Sequence, residues 1–66
     1  MDMNKLNAKI IESGMTIDEV ATSIGISGLS LYFKMKRPMA MTVGDAIRLK
    51  NTLNMSNKEA RDIFLY

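Results

Sequence analysis

A hydroxyl residue followed three positions later by a carboxylate recurs three times in this chain: Thr16 with Glu19, Thr42 with Asp45, and Ser56 with Glu59. Such a pair can satisfy backbone N–H groups that a helix start leaves free, so each marks the beginning of a helix. Stop signals lie between them. Gly14 and Gly25 suit the left-handed residue that commonly follows a helix, and Pro38 cannot continue one. The chain is thereby cut into short segments whose apolar residues keep helical spacing, and no segment alternates with period two.

We read five short helices. The first runs from about Asn4 to Ser13, with Leu6 and Ile10 one turn apart and Met3 and Ile11 beside them. The second opens at Thr16, carries Val20, Ala21 and Ile24, and ends at Gly25. Ser27 caps the third, about Gly28 to Lys36. The fourth spans about Val43 to Leu53, with Val43, Ala46, Ile47, Leu49 and Leu53 mostly on one side. The last is short and carries Ala60, Ile63 and Phe64. The expected fold is all-α, a compact five-helix bundle forming one domain over residues 1–66.

Several function classes are disfavoured at once. A chain of this size buries only about 60% of the surface it exposes when unfolded, which leaves no room for an elaborate catalytic cleft. It contains no cysteine and no histidine. That removes disulfides, a thiolate nucleophile, the commonest general base and the commonest metal ligand. Glu12, Asp18, Glu19, Asp45 and Glu59 fall at helix starts and ends, where caps and dipoles account for them. No enzyme activity, cofactor, metal or small-molecule substrate is expected. No apolar run approaches the roughly 18 residues of a membrane span, and the start, Met-Asp-Met-Asn, is polar. The expectation is a soluble, cytoplasmic chain with no membrane role.

The charge is uneven. Lys5 and Lys9 against Asp2, Glu12, Asp18 and Glu19 leave residues 1–33 at −2. Lys34, Lys36, Arg37, Arg48, Lys50, Lys58 and Arg61 against Asp45, Glu59 and Asp62 leave residues 34–66 at +4. The total of +2 is a weak hint of a polyanion partner.

The informative stretch is Thr16 to Arg37. Two helices that meet at about 90–120° need a small residue where they cross and a positive φ at the turn. Ala21 suits the first need and Gly25 the second, with Val20, Ile24, Ile26, Leu31 and Met35 filling the angle. This Ala-x-x-x-Gly-x-Ser spacing resembles the helix-turn-helix of Cro/repressor-type phage and bacterial regulators. The likeness extends over most of the chain, through one helix before the motif and a basic loop and two helices after it. It implies a lambda-repressor-like DNA-binding-domain architecture and, from the small size, a regulator of a temperate-phage lysis–lysogeny switch in a bacterial cell.

In that family the third helix enters the major groove. The matching groove-reading positions are Ser27, Gly28, Leu29, Tyr32 and Phe33. None is Arg, Lys, Asn or Gln, the usual base readers. Ile17 stands where the family often has Gln. A face of Leu29, Tyr32 and Phe33 suits a protein partner better, because aromatic residues anchor interface cores. Met39 and Met41 would add adaptable apolar surface, and Lys34, Lys36 and Arg37 a basic rim for phosphate or an acidic surface. Asp18 and Glu19 would repel a DNA backbone. The chain in this respect is similar to the small antirepressors of the family, which modulate repression by binding the phage repressor. The implied partner is a repressor's N-terminal DNA-binding domain, with DNA bound weakly or only in a joint complex. The alternative is a Cro-like operator-binding homodimer, whose only visible self-association surface is Ile63, Phe64, Leu65 and Tyr66, residues that either form that surface or belong to the core. Leu29, Tyr32 and Phe33 either form an exposed patch or tuck in, with Phe33 under the loop at Pro38.

Overall fold

Each helix start is built from a side chain that accepts a free backbone N–H. In the computed structural model, which describes residues 1–64, Asp2 caps helix α1 (Met3–Ser13) by accepting from the Lys5 N–H at 3.1 Å. Gly14 then ends it at φ 76°, donating to the Ile11 carbonyl. Thr16 and Glu19 form a reciprocal capping box on α2 (Ile17–Ser23). Gly25, at φ 83°, turns the chain into α3 (Gly28–Lys36), where the Ser27 hydroxyl accepts from the Ser30 N–H at 3.1 Å. A single 3₁₀ turn, Pro38–Ala40, follows. A second box, Thr42 with Asp45, opens α4 (Val43–Thr52), and a third, Ser56 with Glu59, opens α5 (Asn57–Phe64). Asn54 makes the turn between these two helices with a left-handed φ of 53°.

The fold among the described residues is thus all-helical, with five α-helices and no strand. It is compact, with a radius of gyration of 10.4 Å. No described helix is long and apolar enough to cross a membrane. The core is one cluster drawn from every helix: Leu6, Ile10, Val20, Ala21, Ile24, Leu31, Ala46, Leu49, Leu53, Ala60, Ile63 and Phe64, closed by Met41 and Met55. Ala21 is fully buried, and α2 packs more extensively on α3 than any other pair of helices does. The missing side-chain bulk at Ala21 suits that approach.

Two expectations need correction and one alternative is resolved. Val43 and Ile47 do not join the inner face of α4, and both are exposed. Its buried positions are Ala46, Leu49 and Leu53, which 3.6 residues per turn place on one stripe, whereas Ile47 lies about 100° round from Ala46. Ile11 likewise points outward from α1. Met41 is not surface: after the 3₁₀ turn the chain carries it into the core. Ile63 and Phe64 are also core, because α5 folds back on α1, so they offer no self-association surface. Leu65 and Tyr66, the other half of that expected surface, lie outside the described residues.

Two ties fix the helices at long range. The Lys9 ammonium of α1 donates to Glu59 of α5 at 2.6 Å, and the Asp2 N–H donates to the Ile63 carbonyl at 2.7 Å. The hydrogen bond from Lys9, with those from the Ser56 cap, holds the Glu59 carboxyl well below its ordinary 4.5, at about 2. The same bond raises the Lys9 ammonium above 10.5.

Candidate partner-binding surface

Within α3 the residues divide by direction. Leu31 is completely buried and Met35 is half-buried against the core. Leu29, Tyr32, Phe33 and Lys36 fall at i, i+3, i+4 and i+7, which places them along the other side of the helix. Leu29 is 65% exposed, Tyr32 49% and Phe33 55%. Phe33 does not tuck under the Pro38 loop. Its ring instead meets Tyr32 edge-on, with centroids 5.9 Å apart and planes at 66°. The Lys36 ammonium lies 5.4 Å from the centre of the Tyr32 ring, a cation–π distance. Met39, on the 3₁₀ turn just beyond, is fully exposed.

The expected basic rim is smaller than the sequence indicates. Lys34 turns away from solvent, donating to Asp45 at 2.8 Å and to the Ala40 carbonyl at 3.2 Å. It is a brace between α3 and α4, with its ammonium engaged by Asp45. Asp45 is 5% exposed. Burial pushes its carboxyl up, yet the Lys34 ammonium and the Thr42 N–H and hydroxyl partners prevail, and the net shift is downward from 3.8. Lys36 and Arg37 remain exposed.

The two residues at the start of α3 are likewise committed. The Ser27 hydroxyl serves as the cap and donates to the Ser30 hydroxyl at 3.0 Å. Gly28 is half-buried against α2: a Cβ there would run into the Asp18 carboxylate and come within 3.4 Å of the Asp18 Cα. Asp18 therefore sets a carboxylate beside the first turn of α3. The structure thus assembles Leu29, Tyr32, Phe33 and Lys36 along one stripe of α3, sets Gly28 against α2 and Lys34 against α4, and leaves Ser27 exposed as the helix cap.

A neighbouring cleft was not anticipated. Met3, Asn4 and Asn7 of α1, Ile17 of α2, and Tyr32, Met35 and Lys36 of α3 enclose about 390 Å³ beside the aromatic pair. Ile17 packs against the core there, which accounts for an apolar residue at that position. Nothing in local spacing signals this cleft, because α1 meets α3 only through the tertiary fold.

Comparison with protein-family models, curated proteins and solved structures finds no match.

Proposed function

We propose that this chain is a small helix-turn-helix regulator of the Cro/repressor type that acts by protein contact. It is an antirepressor in a phage lysis–lysogeny switch, and its partner is the DNA-binding domain of the phage repressor. The observation that carries this reading is the exposed stripe of Leu29, Tyr32 and Phe33 on the helix that in such regulators would read DNA. Exposed aromatic clusters of this kind act as interface anchors. Three further points support it. None of Leu29, Tyr32 and Phe33 is a usual base reader, Lys34 is paired with Asp45, and Asp18 places a carboxylate at the start of α3. Lys36 and Arg37 form a reduced basic rim, able to touch DNA in a joint complex.

The test is a pair of titrations by fluorescence anisotropy. Labelled duplex DNA is expected to bind weakly at about 50 and 200 mM salt, with no steep salt dependence. The DNA-binding domain of a phage repressor is expected to bind, and Tyr32→Ala or Phe33→Ala should weaken that binding by about 2 kcal/mol, roughly thirtyfold in Kd. Tight, sequence-dependent and salt-sensitive DNA binding by the protein alone would overturn the proposal in favour of an operator-binding repressor. Folded Y32A and F33A variants that bind the repressor undiminished would overturn it as well.

A further inference from the structure

Val43 and Ile47 stand one turn apart on the outside of α4, 63% and 51% exposed, and take no part in the core or in the α3 stripe. Lys50 follows Ile47 by three residues, so the three side chains form one ridge. Alongside it α5 contributes Asn57, Ala60 and Arg61, and together with Ile47 and Lys50 these enclose a shallow groove of about 330 Å³.

The charge of this groove is one-sided. Lys50 and Arg61 line it, and neither is ion-paired among the described residues. The acids of the same two helices are directed elsewhere. Asp45 is buried against Lys34, Glu59 is bonded to Lys9, and Asp62 lines the other side of α5 with Met1 and Lys5. The groove therefore combines an apolar ridge with two uncompensated cations.

That combination discriminates among occupants. A nucleic-acid backbone would use the two bases but gain little from bare valine and isoleucine side chains. A second copy docked through the same face about a two-fold axis would bring like charges into one interface. An amphipathic helix with carboxylates flanking its apolar side satisfies both features. We infer that the α4–α5 groove docks an acidic amphipathic helix of another protein, with its apolar side on Val43 and Ile47 and its carboxylates on Lys50 and Arg61. This surface is independent of the α3 stripe.

The experiment uses the full chain and two fluorescein-labelled amphipathic peptides of about 15 residues, long enough to sustain some helix. They share a Leu/Ile face, and one carries Glu and the other Lys on its flanks. The acidic peptide is expected to bind at least tenfold more tightly than the basic one. The double variant K50E/R61E should reverse that preference, and V43S/I47S should weaken both peptides. Y32A/F33A should change neither, which separates this groove from the α3 surface. All six positions are at least partly solvent-facing, and far-UV circular dichroism checks that each variant stays helical. Equal affinity for the two peptides, or acidic-peptide binding that survives K50E/R61E, overturns the inference. So does duplex DNA binding lost in K50E/R61E without acidic-peptide binding, which would assign the groove to nucleic acid. A dimer that V43S/I47S returns to monomer would assign it to a second copy and overturn the inference equally.

Discussion

Replacing Asp45 by alanine removes three interactions at once. Its Oδ2 accepts the Lys34 ammonium at 2.8 Å and the Thr42 N–H at 3.0 Å, and its Oδ1 lies 3.7 Å from Arg48. The exposed Arg48 contact is worth little in water. Loss of the capping-box half should cost about 1 kcal/mol. Removing one partner of a fully buried ion pair costs about 3–5 kcal/mol. Lys34 retains 23% side-chain exposure and a second acceptor in the Ala40 carbonyl, so it can relax toward water and the lower figure is reduced to about 2 kcal/mol. The expected total for Asp45→Ala is about 3 kcal/mol, a fall in Tm of roughly 12–24 °C for a domain of this size. Urea unfolding followed by far-UV circular dichroism measures it. Asp45→Asn keeps one oxygen for the Thr42 N–H but loses the charge and exchanges the other oxygen for an amide donor beside Arg48, so it should cost about half as much. A D45A variant within about 0.5 kcal/mol of the parent, the range of ordinary surface substitutions, would refute the argument that Lys34 is a structural brace. A double-mutant cycle of K34M with D45N should give a coupling of at least about 1 kcal/mol.

Two further outcomes follow from the fold. The folded-state pKa of Glu59, about 2, lies below its ordinary 4.5, and that of Asp45 lies below 3.8, so the unfolded chain binds more protons in between. Stability should therefore be fully developed above about pH 5 and fall as acid takes the protein through 4.5 toward 2, and Glu59→Gln should flatten that limb in urea titrations at stepped pH. Gly25 sits at φ 83° in the α2–α3 turn with open space around it, so Gly25→Ala should cost about 1 kcal/mol through backbone strain alone, which the same unfolding assay reads.

The features readable from sequence were those whose partners lie within one turn. Thr16–Glu19, Thr42–Asp45 and Ser56–Glu59 are each three residues apart, and all three close as expected. Gly25 and Ala21 were legible for a similar reason, because a positive φ and a close helix crossing restrict residue type locally. What stayed hidden depends on separations that no periodicity encodes. Lys34 and Asp45 are eleven positions apart, Lys9 and Glu59 fifty. A basic run at 34–37 reads as one solvated cluster until α4 is placed beside it. Val43 and Ile47 fail differently: on a helix of this length, Val43 and Ile47 at the margin of the apolar arc can be assigned to either side, and only the position of the neighbouring helices decides. The exposure of Leu29, Tyr32 and Phe33 was equally undetermined, because an aromatic pair on a short helix packs inward as readily as outward.

The Lys9–Glu59 and Asp2–Ile63 ties make the first and last helices a clasp on the molecule. α1 packs on α5 from the opposite end of the chain, whereas the other extensively packed pairs, α2 with α3, α2 with α4 and α4 with α5, lie closer together in sequence. Local opening that frees one end of the clasp also releases the other. Backbone amides of α1 and α5 should therefore exchange with solvent deuterium as one cooperative unit, at a lower opening energy than those of α2 and α3. The order of stability along this chain then runs from its middle outward, with the two helices most distant in sequence sharing one protection factor.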